Sequence, residues 1–73
     1  MNSEVSIQQL ELAMSLKELL QRYGLTTVKS IIDSSVEEIA ICLRIETHVV
    51  KIIVDEAKRI YIESSIKERE LHL

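Results

Sequence analysis

Proline, phenylalanine and tryptophan are absent from this chain, and glycine and cysteine occur once each. A single cysteine, Cys42, excludes an intrachain disulfide framework, so stability has to come from packing. With no Phe or Trp and only Tyr23 and Tyr61 as aromatics, the core must be built from Ile, Leu and Val. No apolar run approaches the 18 or so residues that cross a bilayer, so no membrane partner is expected. No basic segment followed by an apolar stretch opens the chain, so no secretion signal is read. A lone buried thiol fits a reducing cytoplasm. An excess of positive charge is also missing. The net charge is −3, with four basic and seven acidic side chains in residues 1–46 and five of each in 47–73. Tight nucleic-acid binding by bulk charge is therefore disfavoured.

What is present suits a folded chain: 47% apolar and 29% charged residues over 73 positions. That length makes one small domain, which buries only about 60% of the surface its unfolded form exposes. Gly24 is the main punctuation, placed where a helix C-terminus wants a left-handed residue. Before it, Ser15 and Glu18 have the spacing of a capping box, and Leu16, Leu19, Leu20 and Tyr23 line one helical face. A helix over residues 15–23 follows. After Gly24, Thr26 or Thr27 caps a short helix through Asp33, with Val28, Ile31 and Ile32 inward. Ser35 and Glu38 form a second capping box, opening a helix that carries Val36, Ile39, Ala40 and Leu43. Arg44 to Thr47 is a connection. Thr47 then caps a long last helix with Val50, Ile53, Val54, Ala57, Ile60 and Tyr61 inward. The core spans about residues 7–62, and 63–73 is a charged helical extension or a frayed tail.

Ile7, Leu10 and Met14 do not fit this pattern simply. On one unbroken helix they would face away from Leu16, Leu19 and Leu20. Either that helix has two sticky faces or the chain changes direction near Ala13.

Ile7, Leu10, Glu11, Leu12, Leu20, Gly24, Leu25, Thr27 and Val28 together resemble the opening of the C-terminal domain of the bacterial RNA polymerase alpha subunit. The segments SSVEEIAICLRI and VVKIIVDEAKRI follow that family's last two helices more loosely. The Gly-apolar-x-Thr-apolar order, with a lysine-bearing last helix, is also similar to the N-terminal helix-hairpin-helix domain of Rad51/RadA recombinases. Both resemblances imply an all-α fold: a compact four- to five-helix, helix-hairpin-helix-like (SAM-like) small domain, in which the first segment folds back over the helices. The polymerase domain binds the DNA minor groove and docks regulators. Here Ser15 and Glu18 stand where that family places the Arg and Asn of its DNA surface. The turn from Arg44 to His48 has no glycine to bring phosphate close to the backbone, and Glu18 and Glu46 repel phosphate.

Two uses of the surface follow. The first is a non-enzymatic protein–protein interaction module, set by resemblance in transcription or DNA-processing machinery. Its candidate partner-binding residues are Ile7, Leu10 and Met14, if the first segment does not fold back, and Ile52, Ile62 and Ile66, which fall off the inward stripe of the last helix. A homodimer is one form such a module takes. The second is a DNA-binding regulator touching phosphates through Arg44, Lys51, Lys58 and Arg59. Cys42, Glu46 and His48 lack the paired spacing of a zinc site, and Ser34, Ser35 and Cys42 lack a positioned base. No metal, cofactor, small-molecule substrate or catalytic residue is expected.

Overall fold

A computed structural model describes the backbone over residues 5–71 and the side chains over residues 5–67. The protein is all-α. An N-terminal strap, residues 5–12 with one turn of 3-10 helix at Ile7–Gln9, precedes α1 (Met14–Arg22), α2 (Val28–Ile32), α3 (Val36–Leu43) and α4 (Thr47–Leu71). No strand occurs among the described residues beyond one isolated antiparallel bridge, Ser6 to Thr27.

Local chemistry explains several of the helix boundaries. Gly24, at φ +82°, closes α1. Its N–H donates to the Gln21 carbonyl at 3.0 Å, and the Leu25 N–H donates to the Leu20 carbonyl at 2.9 Å. This paired closure satisfies two carbonyls that the helix end leaves open, and the left-handed turn it needs favours glycine. Thr27 caps α2 by accepting from the Ser30 N–H, while Ser30 Oγ accepts from the Thr27 N–H. Ser35 and Glu38 make the expected reciprocal box at α3, and Glu37 and Glu38 sit at the positive end of that helix. Arg44 ends α3 at φ +57°, a left-handed position held by a residue that does not favour it.

Two expected caps are corrected. α1 starts at Met14, so Ser15 lies inside its first turn and makes no cap; Ala13, at the boundary, offers no side-chain oxygen. Thr47 is the first residue of α4 rather than its cap, and the Glu46 carbonyl accepts from the N–H groups of Val49 and Val50.

The core joins every element. Ile7 and Leu10 from the strap, Leu20 from α1, Val28 and Ile31 from α2, Ile39 and Leu43 from α3, and Val50, Ile53, Val54 and Ala57 from α4 form one buried cluster. Each fully buried aliphatic contributes about 1.5–3 kcal/mol relative to exposure. α4 is the spine, and α2 and α3 pack against it. Tyr23 and Tyr61, read as inward, are 50% and 40% exposed. Their hydroxyl-bearing rings stand at the edge of the bundle, and the aliphatics fill the interior without them.

The strap resolves the two-faced apolar pattern. An extended residue at Leu10 and another at Ala13 turn the chain between strap and α1. The Ile7 N–H then donates to the Thr26 carbonyl at 3.2 Å, and the Val28 N–H donates to the Val5 carbonyl at 2.8 Å. Lys17 Nζ reaches the Gln8 carbonyl at 3.0 Å. Ile7 and Leu10 thus face the same core as Leu16, Leu19 and Leu20, while Met14 stays exposed.

α4 also sets the shape. A compact chain of this length has a radius of gyration of about 11 Å. The observed value is 12.6 Å, with extents of 44 × 18 × 18 Å, because the C-terminal half of α4 runs on past the bundle.

Candidate interaction surface

The candidate surface is the outward side of α4. Its inward side is fixed by Val50, Ile53, Val54 and Ala57, all buried. At 100° per residue, the opposite side carries Ile52, Asp55, Arg59, Ile62 and Ile66. Ile52, Ile62 and Ile66 are 59%, 56% and 50% exposed. The last buried side chain described is Ala57, while the helix continues to Leu71. The run beyond Ala57 is about 20 Å long at 1.5 Å per residue. Ile60 still packs against the core; Tyr61, Ile62 and Ile66 remain exposed.

An ion-pair cluster sits beside this face. Arg59 grips Glu56 with two donors, Nε to Oε1 at 3.0 Å and Nη2 to Oε2 at 2.7 Å. Its Nη1 donates to Glu63 Oε2 at 3.0 Å, and Glu11 Oε1 lies 3.8 Å from Nη2. Glu56 Oε2 also accepts the backbone N–H of Glu11 at 2.9 Å. The cluster therefore ties the end of the strap to α4 across 45 residues of sequence. The guanidinium bonds and the Glu11 N–H hold the Glu56 carboxyl below its ordinary value of 4.5, against the opposing effect of desolvation. The Glu56 hydrogen bond, aided by the charges of Glu56, Glu63 and Glu11, raises Arg59 above its ordinary value against the opposing effect of desolvation.

The sequence-derived sites divide accordingly. Ile7 and Leu10 are not partner residues: the strap folds back, and they are 0% and 2% exposed. Met14, at the start of α1, is 66% exposed, and α2 and α3 lie between it and α4 in sequence. Ile52, Ile62 and Ile66 share the outward side of α4. Arg44, Lys51 and Lys58 are exposed, and no carboxylate pairs with them among the described residues. Arg59 differs, because neighbouring carboxylates already neutralise it, which removes it from the set suited to phosphate. Cys42 is exposed, not buried. His48 Nδ1 lies 3.2 Å from Glu46 Oε1 on the surface, and no grouping able to hold a metal ion occurs among the described residues. No described helix is long and apolar enough to cross a membrane.

One surface feature was missed by sequence reasoning. A shallow depression of about 300 Å³ is lined by Tyr23, Leu25, Ser34, Glu38, Ile39, Ile41 and Cys42. Ile41 is 77% exposed. The signal was available: Ile41 falls off the inward stripe of α3 as Ile52 falls off that of α4.

No protein-family model, curated protein or solved structure matches the chain.

Proposed function

We propose that this domain is a non-enzymatic protein–protein interaction module that binds through the outward side of α4. One observation carries the reading. α4 continues well past the core it serves, and it carries Ile62 and Ile66 on a side that nothing among the described residues covers. Single exposed aliphatics are ordinary on protein surfaces. A pair one turn apart on a projecting helix, aligned with a third at Ile52, is a ridge of the kind that seats on another helix. The order of parts supports a helix-hairpin-helix-like arrangement, similar to the polymerase alpha C-terminal domain, and hence a setting in transcription or DNA processing. The exposed free thiol of Cys42 suits a reducing compartment, and we assign the domain to the cytoplasm.

The test is capture from the native host with tagged wild-type protein and with an Ile62→Ser/Ile66→Ser double variant. The reading expects a bound protein, or a second copy of the chain, that the variant loses while its melting transition stays in place. Equal capture by both, or capture of nothing and no self-association, overturns it.

A second reading, a DNA-binding regulator, keeps one favourable observation: Arg44, Lys51 and Lys58 are exposed, with no carboxylate partner among the described residues. Against it stand the net charge of −3 and the engagement of Arg59. Phosphate contacts would give duplex affinity that falls steeply between about 50 and 200 mM salt. Absence of any duplex shift at low salt removes this reading.

A further inference from the structure

The outward side of α4 has a repeat beyond its apolar content. Ile52, Asp55, Arg59, Ile62 and Ile66 are spaced alternately by three and four residues, the seam of a two-stranded coiled coil. In that register Ile52, Arg59 and Ile66 occupy the a positions, and Asp55 and Ile62 the d positions. Ala57 takes the f position, diametrically opposite the seam. Ala57 is fully buried in the domain's own core, so the seam points directly away from the bundle and the bundle does not obstruct it. The flanks are sorted by charge. Lys51 and Lys58 fill one flank, the g positions, and Glu56 and Glu63 fill the other, the e positions.

We infer that the partner of this surface is a second copy of the chain, with the two α4 helices parallel and in register. The inference rests on the interaction reading above and names its occupant. Charge complementarity makes the choice. In a parallel pair each g position meets the e position five residues further along the other helix. Lys51 then faces Glu56 of the second copy, and Lys58 faces Glu63, each contact occurring twice by symmetry. In an antiparallel pair like flanks meet, lysine against lysine and glutamate against glutamate, which repels.

The two pairs are unequal. Glu56 is largely covered, committed to Arg59 and to the Glu11 N–H. Glu63 is more than half exposed and bonded only through one oxygen to Arg59, so the Lys58–Glu63 contact dominates. Asp55 and Arg59 place polar groups in the seam. Arg59 is already drawn sideways onto Glu56 and Glu63, so its charge lies toward the flank rather than between the helices. Polar seam positions fix register and lower stability. Three isoleucines per copy make an interface at the small, transient end of the size range. The dimer is therefore weak and concentration-dependent.

Sedimentation equilibrium on the full chain tests this, over about 10 μM to 1 mM, the range that resolves micromolar to millimolar association. Wild-type protein should show a monomer–dimer equilibrium that weakens with added salt. Lys58→Glu should weaken the dimer by about tenfold or more, because two contacts become repulsive. The charge swap Lys58→Glu/Glu63→Lys should restore it to within about threefold. Ile62→Ser/Ile66→Ser should abolish association, with the dilute monomer melting as wild type does. An antiparallel pair would not be weakened by Lys58→Glu, and that result overturns the proposal; so does a swap that fails to rescue. Wild type that stays monomeric to 1 mM also overturns it. In that case a host protein retained by wild type, but not by the isoleucine variant, leaves the interaction reading standing. If neither a copy nor a host protein binds, both fall.

Discussion

The two halves of α4 are one continuous helix with opposite relations to the rest of the molecule. In the first half, Val50, Ile53, Val54 and Ala57 are buried against α2, α3 and the strap. In the second, Tyr61, Ile62 and Ile66 are at least 40% exposed. Helix propensity does not account for the contrast, since the buried first half carries the β-branched Val49, Val50, Ile52, Ile53 and Val54 while the second half is the richer in Glu and Arg. Tertiary contact does. Most helix stability in folded proteins comes from packing of one face. The second half must instead draw on continuity with the first, on side-chain pairs such as Arg59 with Glu63, and, under our inference, on a second copy.

Substitutions along the helix should expose this contrast. The largest effect is expected at Ile53, where truncation to Ala removes a fully buried side chain and costs about 3 kcal/mol. Thermal or urea unfolding followed by circular dichroism measures it, and a loss below about 1 kcal/mol would place Ile53 outside the core. Leu10→Ala, which empties the strap's pocket on the bundle, should cost about 2–3 kcal/mol, measured the same way.

Glu56→Gln acts at the boundary between the halves and should cost about 1 kcal/mol at pH 7, discounted for a surface network. Its pH dependence has a definite sign. Glu56 titrates lower in the folded state than its ordinary 4.5, so its stabilisation is present above that value and is lost as pH falls through the folded pKa. Wild type and Glu56→Gln should therefore differ at pH 7 and converge in acid. A constant difference across that window would show that charge is not the source.

The smallest effect is expected at Ile66, where Ala should change dilute-monomer stability by less than about 0.5 kcal/mol and yet weaken self-association. A large loss of monomer stability would mean that Ile66 packs on its own bundle, and the contrast between the halves would disappear.

Local rules made much of the fold legible in the sequence. Gly24 announced the end of α1 because few other residues tolerate its φ. The Thr26–Thr27 pair and Ser35 announced α2 and α3, and the hydroxyls of Thr27 and Ser35 satisfy N–H groups three residues away. Ser15 misled because a capping spacing also occurs inside a helix that starts at Met14, whose cap position is held by Ala13, a side chain with nothing to offer. Arg44 gave no sign of its left-handed conformation, since arginine has no preference for it. The surface was harder to read. Ile52, Ile62 and Ile66 were visible from periodicity alone. The fate of Arg59 was not, because one of its neighbours, Glu11, is brought to it by the fold rather than by the helix. Cys42 was read as buried on composition, but its place in α3 turns it to the surface.

The strap fixes an order of events as the chain acquires its structure. Its ties to Thr26, Val28 and Glu56 exist only once α1, α2 and α4 are already together, and the last of these closes a 45-residue loop. Contacts of such long range form late, after the helices have collapsed on one another. Leu10→Ala should therefore leave the refolding rate nearly untouched and accelerate unfolding by the whole of its effect. Residues 5–12, which precede α1 to α4 in sequence, are thus the last of the described segments to reach their native position.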